Sequence, residues 1–436
     1  MPIFSRLTQF IQNNQIVKNI STTFVVSIIL QAFGVITGMI TARSLGPTGK
    51  GILTAIILWP GMLASIGSVG ITEALSYFVS RKPEMDKQFL ATSLILGVIQ
   101  SVCLILLGII VIPIVLRDYS PEHIRLGLTY LAYIPLNFGM LYIQNFLGGK
   151  LLFREVNIIR FSLTVLMVLG LVFFFAINAL TIEKVILVYL AAYFLTLIVA
   201  IALAARHHLI SFHIKLHLIR PLLSYGIKAH LSTITAWLNN RLDHMIISIF
   251  LPPEELGYYA VAVTLTTVVT LVGSTLSIVA LPTISKKAAA GNANRTISYF
   301  VQLAFWGSAA IGILTALLAP QIILLFFGSA YTKAISIASI LCIASIQLST
   351  NTVLQTVLKA ENLPLRAGIS EIVALTVTLL SLTVFLPRFG ILGAAIASFL
   401  AYLAAFAYML RSIRKSSGLS LSELFIPNRE SFLSFK

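Results

Sequence analysis

The feature that most constrains this chain is a succession of twelve apolar runs, each long enough to cross a lipid bilayer. A bilayer core takes roughly 20 residues of helix. The runs cover approximately residues 20–42, 52–79, 89–116, 124–147, 157–178, 184–205, 224–250, 257–282, 297–318, 333–358, 367–386 and 391–411. Composition agrees. Of 436 residues, 58% are hydrophobic and 10% charged, whereas a soluble domain is nearer half apolar and a quarter charged. No stretch is polar enough to form a soluble domain of its own. The expected fold is an all-α integral membrane protein of about twelve transmembrane helices.

Lys and Arg set the expected orientation. With the N-terminus on the cytoplasmic side, twenty of the thirty basic residues fall in cytoplasmic segments and seven in the opposite loops. Arg160, Lys228 and Arg241 remain inside helices. This predicts a multi-pass protein of the cytoplasmic membrane with both termini inside. The net charge of +16 then describes topology and contact with anionic membrane lipids. No basic groove interleaved with stacking aromatics is present, so nucleic acid is not an expected partner. Ahead of the first run, residues 2–17 have neither the long apolar region nor the cleavage site of a signal peptide. Ile3, Phe4, Leu7, Phe10 and Ile11 share one helical face. That pattern fits an interfacial helix as well as a polar tail. Cys103 and Cys342 lie within apolar runs and read as small core residues.

A repeat divides the chain. Leu45-Gly-Pro-Thr-Gly-Lys-Gly51 and Leu251-Pro-Pro-Glu-Glu-Leu-Gly257 share Leu, Pro and Gly at an offset of 206, and Tyr119/Tyr331 and Arg154/Arg366 match at 212. Six helices per half point the two halves the same way, and such repeats place a substrate site where the halves meet. The expected organisation is an N-terminal six-helix lobe over 1–205, a cytoplasmic connector over 206–223, a C-terminal six-helix lobe over 224–411 and a cytoplasmic tail over 412–436.

The seventh run carries the densest polar cluster: Asn239, Asn240, Arg241, Asp243 and His244. A charge at membrane depth costs roughly 2.5–3.5 kcal/mol on insertion scales and marks function by default. On one continuous helix Asn240, Asp243 and His244 share a face, with Arg241 on the adjoining one. A face that wide predicts a water-filled cavity, the alternative being an interhelical hydrogen-bond network. Lys228 and His230 open the same run. Glu73 follows Gly67 and Gly70, which permit close helix approach, and is expected to meet a protein partner or bind a proton. In the connector His207, His208, His213 and His217 invite a metal reading, but no cysteine or carboxylate accompanies them there, and a basic surface segment fits better. No metal or cofactor is expected. No phosphate-binding Gly-rich loop, HExxH or GxSxG arrangement occurs, so the chain is not expected to be an enzyme.

The LGPTGKG run, the Asn-Asn-Arg-Leu-Asp243 helix, the LPPEELGYYAVA turn, Leu281-Pro282 and Phe327-Gly-Ser-Ala-Tyr331 together resemble the polysaccharide transporter family of oligosaccharide-lipid flippases. Its superfamily also holds the lipid II flippases and the multidrug/toxin extruders. The resemblance implies two six-helix lobes around a central cavity. It implies a polyprenyl-diphosphate glycan as substrate, moved from the inner to the outer leaflet; whether the protein works alone or beside polysaccharide-assembly proteins stays open. By that resemblance Arg241, Arg43 and Lys228 are candidate diphosphate contacts. The alternatives are an interfacial anchor for Arg43, at the outer end of the first helix, and a side chain reaching the interface for Lys228. Asn240 and Glu73 are further cavity candidates by their places on the helices. Asp243, with His244, is the candidate for the coupling ion, or for a salt bridge to a cavity arginine. Two rivals stand beside this reading. A cation-coupled drug extruder suits Asp243 but not the surrounding positive charge. A membrane glycosyltransferase or polymerase needs a larger external loop than Arg117–Ile124 supplies.

Overall fold

In the computed structural model, residues 15–209, 214–289 and 292–426 are described. Ile3 to Ile11 of the expected interfacial helix, His213 of the connector and residues 427–436 of the tail lie outside them. The described chain is helical, with no strand among its residues. In order the helices are α1 (Gln15–Gly67), α2 (Ile71–Arg81), α3 (Asp86–Val115), α4 (Pro121–Tyr130), α5 (Tyr133–Gly149), α6 (Phe153–Ala176), α7 (Ile182–Arg206), α8 (Ile219–Asn239), α9 (Leu242–Phe250), α10 (Pro253–Ala289), α11 (Asn294–Ile322), α12 (Ala334–Ala360), α13 (Pro364–Ser417) and α14 (Leu421–Phe425).

Each of the twelve runs has a helical counterpart. Nine stretches among the described residues are long and apolar enough to span a membrane. Two of these, α1 and α13, carry two runs apiece, broken by non-helical backbone at Gly46 (φ 66°) and Gly390 (φ 57°). The remaining run is the broken pair α8 and α9. Two further runs are also interrupted, at Ser68–Gly70 between α1 and α2 and at Leu131–Ala132 between α4 and α5. Val98, Val102, Leu106, Ile110 and Ile114 form an exposed apolar stripe along α3. Such a surface is a liability in water and a match for lipid. Cys103 stands exposed on this helix, not in a core as expected, while Cys342 is buried.

The chain divides into two compact units. The first holds the chain up to Leu45 and from Ile52 to Ile234; the second holds Gly46–Gly51 and the chain from Thr235 onward. In the first, α2 packs on α3 and α5, and α7 packs on α5 and α6. Buried Leu75, Val79, Phe138, Tyr142 and Phe146 fill the seams. Asp86, buried at the start of α3, is ion-paired with Lys150 after α5. Lys215 of the connector donates its backbone N–H to Thr92 Oγ1 on α3 at 3.3 Å.

In the second unit α12 is the central helix, packed by α10, α11 and α13. Its Val353, Leu354, Val357 and Leu358 join Ile297, Phe300, Val301, Ala401 and Met409 in one buried cluster. The repeat is visible here as a contact. A β-carbon on Gly51 would lie 1.6 Å from Pro253 O, and one on Gly257 would lie 1.9 Å from Pro47 O. The two motifs thus meet reciprocally, glycine against proline carbonyl, at an approach only glycine permits. Beyond α13, a capping box between Ser420 and Glu423 starts α14. That short helix is docked on α11: Gln302 Nε2 donates to the carbonyls of Glu423 (2.9 Å) and Ile426 (3.0 Å), and Trp306 Nε1 to that of Phe425 (2.8 Å).

Candidate functional site

The seventh run does not form the single continuous helix expected. Asn240 N–H is shared between the carbonyls of Ala236 (3.3 Å) and Trp237 (3.2 Å), and Arg241 N–H reaches back to Leu238 O (3.0 Å). The last turn of α8 tightens, Arg241 leaves helical geometry (φ −132°, ψ −12°), and α9 restarts at Leu242. The break redistributes the polar cluster. Asn240 is exposed and its Nδ2 donates back to Ala236 O at 2.9 Å. Arg241 is also exposed, and makes no ion pair among the described residues. Asp243 and His244 turn inward, 6% and 3% exposed. Two faces replace the one drawn for a continuous helix.

Asp243 sits in the first turn of α9, where backbone N–H groups favour a carboxylate. Its Oδ1 accepts from His244 N–H (2.7 Å) and lies 2.9 Å from His244 Nδ1; its Oδ2 accepts from Tyr259 OH at 2.5 Å. The Tyr259 hydroxyl is in turn 3.3 Å from Ser398 Oγ on α13, and its ring meets the His244 ring edge-on at 5.2 Å. A carboxylate removed from water is tolerable when donors satisfy it this fully. The network ties α9 to α10 and α13, and it matches the hydrogen-bond alternative for Asp243 and His244. Beside the break, Asn239 Nδ2 donates to Glu371 O at 2.8 Å and to its carboxylate, and Gln355 Nε2 donates to the same carboxylate. Tyr259, Ser398 and Gln355 were missed from sequence. Tyr259 is one of two adjacent tyrosines in the repeat turn, both buried, and nothing local says which one reaches Asp243.

The other candidates belong to the first unit. Arg43 and Lys228 are exposed. Glu73 is half-buried in the first turn of α2 and accepts from the hydroxyls of Thr72 (2.6 Å) and Thr233 (3.3 Å). Gly70, just ahead of it, packs on Gly226 of α8: a β-carbon on Gly70 would lie 2.1 Å from Gly226 O. The expected close approach is therefore made, with α8 as the partner. His207 Nε2 lies 3.2 Å from Glu155. Among the described residues no group of three or more His, Cys, Asp or Glu side chains comes together as a metal site would need.

Comparison with known proteins places this geometry. The chain is similar in fold to the lipid II flippase MurJ in an inward closed conformation, with TM-score 0.73 and 16% identity over 95% of this chain and 92% of that one. It is also similar to a multidrug resistance MATE family transporter of the MOP superfamily. The inward-facing form matches with TM-score 0.72 and 15% identity over 90% of this chain and 96% of that one. The outward-facing form matches with TM-score 0.63, again at 15% identity, over 92% and 97%. No curated protein sequence matches the chain. The family model described as "Polysaccharide biosynthesis protein" matches residues 16–288, more than half the chain. The protein is a multi-pass membrane protein and belongs to the polysaccharide biosynthesis protein family.

Proposed function

We propose that the protein is a flippase that carries a polyprenyl-diphosphate-linked oligosaccharide from the inner to the outer leaflet by alternating access, for cell-surface polysaccharide synthesis. The observation that carries the reading is Arg241, an exposed guanidinium at the break of a helix in an apolar run, with no ion-pair partner among the described residues. Broken helices at membrane depth are where transporters hold polar substrate groups. A diphosphate cannot cross hydrocarbon unaided, since its charges would lose their water. Arginine binds phosphate bidentately and stays charged when partly dehydrated. Asn240 is an amide beside Arg241, and in the first unit Arg43 and Lys228 are further exposed cations of a kind that binds phosphate. Asp243 and His244 in this reading hold the break in place beneath Arg241. Membership of the polysaccharide biosynthesis family supports a glycan cargo, and the fold shared with a lipid II flippase supports a lipid-linked one. Transport in the cytoplasmic membrane, beside polysaccharide-assembly proteins, and not catalysis, is the role proposed.

The test is reconstitution in liposomes, following outward movement of a polyprenyl-diphosphate oligosaccharide. Wild type is expected to move it, and Arg241→Ala to lose most of the activity while remaining folded. Export of a cationic dye under a proton or sodium gradient, with no movement of lipid-linked glycan, would transfer the protein to the drug-extruder reading, which the shared MATE fold keeps in view.

A further inference from the structure

We propose that Glu73 and His230 form a proton-binding site inside the first unit, separate from the Asp243 network. Both ring nitrogens of His230 are buried, and neither has a hydrogen-bond partner among the described residues. An imidazole always carries at least one N–H, and a buried one without an acceptor is costly. A buried polar group of this kind calls for a physical explanation. Glu73, on the facing helix α2, is a carboxylate with no ion pair among the described residues. Among those residues its acceptors are met by the Thr72 and Thr233 hydroxyls.

The two residues are diagonal neighbours across the α2–α8 seam. A β-carbon on Gly70 would lie 2.9 Å from His230 Cβ. One turn further along both helices, Thr233 Oγ1 reaches Glu73 Oε1 at 3.3 Å. The Gly70–Gly226 approach closes one end of the seam and brings the ring to the start of α2. Imidazole and carboxylate nonetheless form no ion pair within 4 Å. With one proton the pair is neutral, as a carboxylic acid beside neutral imidazole or as carboxylate beside imidazolium. Without that proton it carries one negative charge. Those two states differ by a full charge, and Glu and His at membrane depth recur as proton carriers.

The surroundings leave the proton to this pair. On α2, Tyr77 stacks on Tyr225 of α8 at 4.2 Å, and the Arg81 guanidinium covers the Tyr77 ring at 4.8 Å. Lys82 and Glu84 lie past the far end of α2. From α5 comes Tyr142, whose hydroxyl donates to Gln100 of α3, while Gln100 Nε2 donates to Gly67 O at 2.9 Å. Lys228, on α8, is exposed.

The experiment is titration of the full-length protein in lipid nanodiscs carrying ¹⁵N-histidine, across about pH 5 to 8. The His230 signal is identified as the one lost in His230→Gln. The ring is expected to change protonation state within that window. Glu73→Gln removes the charge and can keep a hydrogen bond to each threonine hydroxyl, its amide oxygen accepting from one and its amide N–H donating to the other. In that variant the change should move to lower pH by about one unit, a tenfold loss of proton affinity. Proton uptake over the window supplies an independent reading, with wild type binding one more proton per chain than His230→Gln. A ring that stays in one state throughout, a titration indifferent to Glu73→Gln, or equal proton uptake in wild type and His230→Gln would each overturn the site. None of these outcomes depends on which substrate is carried.

Discussion

Two pairings of a carboxylate with a histidine lie in apolar runs of this chain, and they are built in opposite ways. Asp243 and His244 are adjacent in sequence and buried, and the carboxylate takes three donors from His244 and Tyr259. Glu73 and His230 come from distant parts of the chain; among the described residues the carboxylate meets hydroxyls alone, and the ring meets no partner. A network in which each member is satisfied rigidifies, whereas one left open stores a reason to change state. The contrast teaches that an acidic residue in a membrane span is not a functional site by its identity alone. What its oxygens already hold decides the role.

The comparison can be broken most forcefully at Asp243. Asp243→Ala leaves the Tyr259 hydroxyl and the His244 ring without their acceptor, at a cost on the order of 2–4 kcal/mol, since each stranded buried donor costs about 1–3. Thermal unfolding of the purified protein in detergent reads this directly, and an unchanged midpoint would mean the network holds nothing together. Next comes the glycine seam of the other pair. Gly226→Ala drives a β-carbon to within 2.6 Å of Val69 O, and overpacking of this kind costs about 1–3 kcal/mol. The same unfolding assay checks it, with Gly148→Ala, whose β-carbon meets nothing nearer than 3.9 Å, as the tolerated control.

Glu73→Gln sharpens the contrast from the opposite side. Its amide oxygen can accept from one of the Thr72 and Thr233 hydroxyls and its amide N–H can donate to the oxygen of the other, so stability should stay within about 1 kcal/mol of wild type. A loss as large as that of Asp243→Ala would make Glu73 a structural member like its counterpart. The smallest effect lies outside both pairs, at the cap of α14. Ser420 donates its backbone N–H (2.8 Å) and its hydroxyl (2.7 Å) to Glu423, holding that carboxyl below its usual range. The folded state therefore gains from the ionised cap above the ordinary carboxylate value. It loses that gain as pH falls through the depressed one. Faster proteolysis of the C-terminal segment in acid, abolished in Glu423→Gln, is the expected sign.

Much of the fold was legible because bilayer thickness imposes a length on every crossing helix. The twelve runs, the Leu45–Gly51 and Leu251–Gly257 repeat and the Gly70 approach all follow from local composition or spacing. The break at Asn240–Arg241 was not legible, because it carries neither glycine nor proline and its signal is a few redirected backbone hydrogen bonds. One residue of non-helical backbone was enough to turn Asn240 and Arg241 outward while Asp243 and His244 face in. His230 illustrates the same limit, since a histidine near a helix start reads alike whether its ring is solvated or sealed.

By itself, then, the sequence determined a helical membrane protein of two related halves, because apolar length and the recurrence of Leu, Pro and Gly are properties of neighbouring residues. Only the tertiary structure decided which polar side chains are satisfied and which are left open. Hydrogen-bond saturation depends on residues far away in the chain: Tyr259 and Ser398 for Asp243, Thr233 and Gly226 for the seam that holds Glu73 and His230.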